Sequence, residues 1–413
     1  MLLVFIIQGV VVVAVVECPR LGKTALSSSS RPRGVLEELE RSIPAVTHSQ
    51  SELVAFPYPR DTVVVVDQRV VVHRSFLEAS KHAAHLRFVK SVVDRRRVVN
   101  AAYRFSAGTR GVKRCDGWPF VVIAKVAGYD QCGILAPNPY FDLLRERPVV
   151  VRPPGTDRRV LWRGNITGRS CDKNAGNVAR LAAASLTVMA PELFDVRCIH
   201  CSPRYDVDEC ASVVPSREYG ATAPTVGYTT LMRELARDPD RIRGSYVPQS
   251  EFSNHTFLLH LPGAFTGSYS RNLNSLWSAG GAVLIWDASY VEFYFPALAH
   301  GITHLAVNLC NAKRTVEGLD AARIATLASN ARRVYDAWLC PDCLAAYYQA
   351  LLAALPSSPG VVVVNKGNCT EGLVEILGAR PHVEDNKFYR ALPSTHLITR
   401  PFTDCNALLN GFP

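Results

Sequence analysis

Three segments combine residue types and spacings suited to chemistry. In Leu261-Pro-Gly-Ala-Phe-Thr-Gly-Ser-Tyr-Ser-Arg271 an apolar run passes into a loop with Gly263 and Gly267, and Ser268, Ser270 and Arg271 stand where a helix would begin. Glycines let the backbone approach a ligand, serine hydroxyls and free helix N–H groups donate to phosphate oxygens, and Arg adds a two-pronged charged donor. The set fits a diphosphate, although a Gly/Ser turn that only caps a helix carries the same residues. Trp162-Arg-Gly-Asn-Ile-Thr-Gly168 is a second basic loop, in which Arg163 can neutralise an anion while Gly164 and Gly168 keep the backbone close to it; structural turns use these residues too. In Arg114-Cys-Asp-Gly-Trp-Pro119 the Asp116 carboxylate sits in a tight, aromatic-walled turn, where it can act as a general base provided it reaches an acceptor hydroxyl.

Other motifs carry weaker signals. Asp206-Val-Asp208 spells the DxD with which many sugar transferases hold a divalent ion, but no buried strand precedes it. Arg95-Arg96-Arg97 adjoins Asp94 on an expected helix and lacks interleaved aromatics, so it reads as a solvated face rather than a nucleic-acid groove. Twelve cysteines include two CxxC pairs, Cys198/Cys201 and Cys340/Cys343. Their wide separation argues for disulfides or inert thiols over a compact zinc ribbon. N-x-S/T sequons begin at Asn165, Asn254 and Asn368.

These segments need elements to position them. Val63 to Val66 reads as a buried strand, Phe76 to Ala102 has mostly helical spacing, and Phe120 to Ala124 is strand-like. Further on, Val160 to Trp162, Phe257 to Leu261, Ala282 to Trp286 and His304 to Leu309 read as strands. Helical segments are expected at Asn177 to Ala190, Arg271 to Ser278, 291–299 and Ala321 to Leu339, and 198–250 as a polar excursion. That alternation predicts an α/β fold with a parallel sheet.

The 413 residues exceed one ordinary core, and 48% hydrophobic with 20% charged residues excludes a disordered or collagen-like chain. A formal charge of +10 favours an anionic partner without choosing one. Leu2 to Val16 is apolar and short for a spanning helix, so residues 1–17 are expected to be a signal peptide or signal-anchor, a candidate membrane anchor. The rival reading is a buried N-terminal strand. Residues 18–50, rich in Ser, Pro and Arg, read as a linker.

Taken in order, the motifs from about Arg114 to Leu355 resemble glycosyltransferase family 90, which contains protein O-glucosyltransferases and capsule-associated xylosyltransferases. Trp162-Arg163-Gly164 with Thr167-Gly168 is similar to the family's aromatic-Arg-Gly loop, Arg180-Leu181 to its Arg-x-Leu region, and Gly267-Ser268-Tyr269-Ser270-Arg271 to its Gly/Ser-Arg loop. Gly281 to Asp287, Glu292 to Leu298 and His304 to Val307 look like its strand, acidic helix and following strand. The resemblance implies a GT-B fold, two Rossmann-like domains facing a cleft: 51–155 on the acceptor side, 156–355 binding the nucleotide-sugar, and 356–413 an extension that packs on the N-terminal domain. It implies inverting transfer of glucose or xylose from a UDP-sugar to a protein or polysaccharide hydroxyl, with no cofactor, no metal and no nucleic-acid partner, in the endoplasmic reticulum or Golgi lumen or outside the cell. Asp116 is the expected base, with Asp130 the fallback. Arg163, Gly164, Thr167, Gly168, Arg180, Gly267, Ser268, Ser270, Arg271 and Glu292 are the expected donor-binding set. The chain departs from the family at Ile166, where the animal enzymes carry a second Arg. Two alternatives stand beside this reading: a catalytically inactive lumenal homologue that binds glycan or protein, and a metal-dependent DxD transferase.

Overall fold

The computed structural model describes residues 2–7, 10–15, 61–66, 68–73, 76–77, 80–107, 112, 119–126, 132–140, 156–168, 171–203, 226–263, 272–288, 290–355, 373–376 and 389–391. The chain begins with β1 (Leu2–Ile7), β2 (Val10–Val15), β3 (Thr62–Val66), β4 (Arg69–His73), α1 (Ser80–Arg95), β5 (Ala101–Ser106), β6 (Phe120–Val122) and β7 (Ile134–Leu135). It continues with β8 (Asp157–Gly168), α2 (Cys171–Met189), β9 (Phe194–Pro203), α3 (Val226–Arg237), β10 (His255–His260), the one-turn α4 (Leu273–Leu276), β11 (Ala282–Trp286) and β12 (Leu305–Val307). Helices α5 (Ala312–Glu317), α6 (Ala321–Val334) and α7 (Pro341–Ala354) precede β13 (Leu373–Ile376) and β14 (Tyr389–Ala391). The chain divides into two units, one of Arg33–Glu146 with Trp338–Pro413, the other of Met1–Pro32 with Arg147–Ala337.

The N-terminal apolar run, expected as a signal or anchor, forms the antiparallel hairpin β1–β2, with Leu2 opposite Val15 and Ile7 opposite Val10. Its run of β-branched residues favours strand. Among the described residues no helix is long and apolar enough to cross a membrane.

The unit of Arg33–Glu146 and Trp338–Pro413 is built on a seven-stranded sheet of order β14-β13-β4-β3-β5-β6-β7. Only β5, β6 and β7 run parallel; every other ladder is antiparallel. The expected Rossmann-like N-terminal half is corrected to a mixed sheet, and the cause is local. Val66 pairs with Arg69 across a two-residue turn, too short for a crossover helix. Gln68 takes a left-handed φ of 62° there, and its side chain donates to Val98 O at 2.7 Å and accepts from Val98 N at 3.3 Å. From the C-terminal stretch, β13 pairs with β4, Leu373 opposite His73.

Helix α7 belongs to this unit, so the chain crosses at Ala337–Trp338 rather than at residue 355. The apolar face of α7 explains the change: Leu344, Tyr347, Tyr348 and Leu351 are buried, Tyr348 meets Phe88 of α1, and the Tyr347 hydroxyl donates to Leu135 O at 2.8 Å. Beneath it, His85 lies flat on Phe105, with 3.6 Å between ring centroids. His85 Nε2 and the hydroxyls of Tyr103 and Tyr348 close a hydrogen-bonded triangle of 3.0, 2.7 and 3.3 Å.

The unit of Met1–Pro32 and Arg147–Ala337 carries the five-stranded sheet β9-β8-β10-β11-β12, parallel throughout. All five residues of β11, Ala-Val-Leu-Ile-Trp, are buried, the continuous apolar pattern of a sheet covered on both faces. One face presents Val160, Trp162, Phe257, Leu259, Leu284 and Trp286 to Leu181 and Leu186 of α2 and to Ile324 and Leu327 of α6. The helix expected at 291–299 is instead a turn and the 3-10 segment Phe295–Ala297, since Pro296 lacks the N–H and its aromatic neighbours lose rotamer freedom in a helix. The polar excursion at 198–250 contains α3 and the end of β9.

Candidate functional site

In strand order 2-1-3-4-5 the first strand, β8, sends the chain outward to β9, while β10 returns on its other side. The crevice at the carboxyl ends of such a pair is where open α/β sheets take ligands. Here the pair parts visibly. The last matched positions of β8 and β10 are Leu161 and Leu258, whereas β8 stays paired with β9 as far as Gly168 opposite Pro203.

Arg180, on α2, enters this gap. Its Nε donates to Pro262 O and its Nη1 to Asn165 O, each at 2.8 Å, so one guanidinium ties the end of β8 to the residue pair after β10. The Trp162 ring lies beneath it, 5.6 Å from the guanidinium carbon. Arg180 is 7% exposed, and burial lowers its pKa to about 10. Its Nη2 makes no hydrogen bond among the described residues, and no carboxylate there pairs with it. A buried cation satisfied only by carbonyls has capacity for an anion.

Next to it stand residues that the sequence motifs did not single out. His260 closes β10, wholly buried, and meets the Tyr290 hydroxyl at 2.6 Å. Burial, with Arg180 adding to it, lowers the His260 pKa to about 3, so the ring is neutral. The Tyr290 hydroxyl is pushed well up by burial and then by the Glu292 charge, against the pull of Arg180. Glu292 is fully buried, and its charge also acts on Tyr294, whose hydroxyl accepts from Trp277 Nε1 at 3.3 Å. A cation, a neutral imidazole, two phenols and a carboxylate thus cluster where β10 and β11 end. Such a set neutralises an anion and holds hydroxyls. His260 was detectable in principle, as a histidine that follows the apolar run Phe257 to Leu259.

Arg163 has another occupation. It lies on the sheet face opposite Trp162, where Nη2 meets Asp195 Oδ2 and Nη1 meets Asp195 O, both at 2.6 Å, and Nε donates to Ser245 O at 3.0 Å. Nη1 also donates to Trp162 O, so four of five donors are engaged. Arg197 takes the other Asp195 oxygen at 2.9 Å. Burial raises the Asp195 pKa, but Arg163 and then Arg197 outweigh it and the carboxyl titrates low. The structure therefore does not bring Arg163 together with Arg180, and the expected diphosphate contact becomes an internal ion-pair network. Gly164 also differs from expectation. A Cβ there would fall 2.5 Å from Trp162 Cζ2, so the glycine makes room for the indole under Arg180 rather than for a ligand.

Thr167 is fixed through its backbone: Asn177 of α2 accepts from Thr167 N at 3.3 Å and donates to Thr167 O. Gly168 ends β8. Asp116, Asp130, Asp206, Asp208, Gly267, Ser268, Ser270 and Arg271 lie outside the described residues, as does the sequon at Asn368. The CxxC pairs are the disulfides Cys198–Cys201 and Cys340–Cys343, and no group of three or more metal-ligating side chains occurs among the described residues.

No protein-family model matches the chain, and no curated protein does. Among solved structures it is similar to the pneumococcal O-GlcNAc transferase GtfA in complex with UDP and GlcNAc. That likeness is 12% in identity with a TM-score of 0.28, over 58% of this chain and 45% of that one. The matched part is under half the length of that relative, and a likeness of this size assigns neither fold nor ligand.

Proposed function

We propose that the protein is an inverting glycosyltransferase of the family-90 kind, moving glucose or xylose from a UDP-sugar to a hydroxyl of a protein or polysaccharide. The observation that carries this reading is Arg180, a buried cation with no carboxylate partner among the described residues, set in the switch-point crevice of a parallel sheet. There it would neutralise the diphosphate, with Arg271 adding a second positive charge. Glu292 and Tyr290 would accept and donate hydrogen bonds at ribose or sugar hydroxyls.

In the reaction, Asp116 takes the acceptor proton, the acceptor oxygen attacks the anomeric carbon from the face opposite UDP, and the bond from that carbon to the β-phosphate oxygen breaks. One base suffices for a single inversion. Negative charge grows on departing UDP, and a desolvated guanidinium already held in place meets it without reorganisation. The disulfides support an oxidising compartment, lumenal or extracellular.

UDP release from a panel of UDP-sugars, with and without manganese, tests the proposal. Release without metal, abolished by Asp116→Asn, is expected. Release only with manganese, lost in Asp206→Ala, would establish the DxD alternative. Glycan binding with no release from any donor would establish an inactive binding homologue.

A further inference from the structure

Two motifs left unused by that site converge elsewhere. Cys340 is the N-cap of the 14-residue α7, Pro341 opens its first turn, and Cys343 closes the disulfide. Cys340 Sγ accepts the backbone N–H of Cys343 at 3.0 Å, and both cysteines are partly exposed. The basic run at the end of α1 reaches the same turn. Arg95 Nη1 lies 3.7 Å from Asp342 Oδ1, and Arg96 Nη2 donates to Asp342 O at 3.2 Å. Arg96 is anchored further by Gln349, which also holds Arg97 O at 2.7 Å. The Cys340 sulfur therefore stands at a helix N-terminus with an N–H donor, and two guanidinium groups engage the same first turn at Asp342. These surroundings stabilise a thiolate.

The second CxxC provides an internal contrast. Cys198 and Cys201 lie in β9, 0% and 8% exposed, with Cys198 Sγ against Ile242 O, and no helix starts there. That pair is shielded from solvent thiols.

We propose that Cys340–Cys343 is a thiol–disulfide exchange site, cycling two electrons with monothiols and their disulfides, whereas Cys198–Cys201 is structural. In the dithiol form the Cys340 thiolate attacks a disulfide RSSR, forming a Cys340–SR bond and releasing RS⁻. Cys343 then attacks the Cys340 sulfur, expels a second RS⁻ and restores the internal disulfide; its proton goes to a released thiolate. The net change is dithiol plus RSSR to disulfide plus two RSH, and reduction by glutathione runs it backwards.

The test treats the folded full chain with glutathione or dithiothreitol, traps thiols with iodoacetamide at pH 6.5, and reads each cysteine by peptide mass spectrometry. An ordinary thiol is only about 1% ionised at that pH. Cys340 is expected to label at least about tenfold faster than glutathione itself, with Cys198 and Cys201 unlabelled. Cys343→Ser should accumulate a glutathione mixed disulfide at Cys340, and joint Arg95→Gln and Arg96→Gln should slow Cys340 labelling several-fold. Circular dichroism checks that each variant is folded; if one is not, the wild-type rates decide alone. A 340–343 bond that resists dithiothreitol in the folded protein, or a Cys340 that labels like an ordinary thiol, overturns the proposal.

Discussion

Replacing Arg180 by methionine separates its two functions, tying strand ends and receiving an anion. Methionine keeps the apolar stem over Trp162 and deletes the charge. Burial lowers the Arg180 pKa to about 10, a net penalty on the charged form of about 3 kcal/mol. Against it stand two charged hydrogen bonds to carbonyls, roughly 1.5–3 kcal/mol each, and roughly 1–2 kcal/mol from the indole face. The ligand-free protein should therefore lose about 1–5 kcal/mol, because removing the desolvated charge offsets part of the lost bonding. The ligand response is a separate quantity. At a UDP concentration ~100-fold above Kd, wild type gains about 2.7 kcal/mol, or roughly 5–10 °C for a unit of this size. Loss of about 3 kcal/mol of charge-assisted contact raises Kd ~100-fold, and the same UDP then gives only about 0.4 kcal/mol, roughly 1 °C. Thermal unfolding with and without UDP, with calorimetric titration for Kd, reads both quantities. Arg180→Lys should recover part of the ligand response but not the bridge from Asn165 to Pro262. If the methionine variant keeps the wild-type UDP shift, or if UDP shifts neither protein, Arg180 does not receive the diphosphate.

Three further outcomes are expected. His260 and His304 are both lowered to about 3 by burial, so below the unfolded value near 6.5 the unfolded state binds more protons. Their contribution is complete above pH ~6.5 and is lost down to about pH 3, at about 1.4 kcal/mol per pH unit for each. Urea midpoints that stay level from pH 6.5 to 4.5 would contradict this. Gly164→Ala should cost about 1–3 kcal/mol, since the new Cβ meets the Trp162 ring, and should weaken UDP binding through the displaced indole. An unchanged urea midpoint would mean that the indole can move aside freely. Asp195→Ala should cost about 2–4 kcal/mol by stranding Arg163 and Arg197, yet leave UDP affinity within about twofold; a large loss of affinity would return Arg163 to the ligand site.

The parts of the fold legible in sequence were those whose periodicity was decided locally. The apolar stretch at Ala282–Trp286 forms a strand between those same residues, and the helical repeat from Ile324 to Val334 forms α6. What misled was context. Residues 291–299 have helix-like apolar spacing, but Pro296 and three consecutive aromatics break it, so Glu292 comes to a buried turn rather than a helix face. The antiparallel edge of the N-terminal sheet depends on a two-residue turn at Gln68 and on β13, some 300 residues later, pairings that no local pattern encodes.

The same distinction explains why Arg163 and Arg180 looked equivalent as donor ligands and are not. Along β8 the side chains alternate between faces, so Trp162 and Arg163 must point opposite ways. Trp162 faces α2, which carries Arg180, and Arg163 faces Asp195, Arg197 and the Gly244-Ser245 backbone. Once the indole is assigned to the α2 side, the neighbouring arginine is committed to the other face, where Asp195 and Arg197, two apart on β9, also project. Period two along adjacent strands thus places one arginine in an ion-pair network and leaves the other, on a helix, to reach the open end of the sheet. Only the second has a guanidinium nitrogen to spare, and it alone stands where β8 and β10 have ceased to pair.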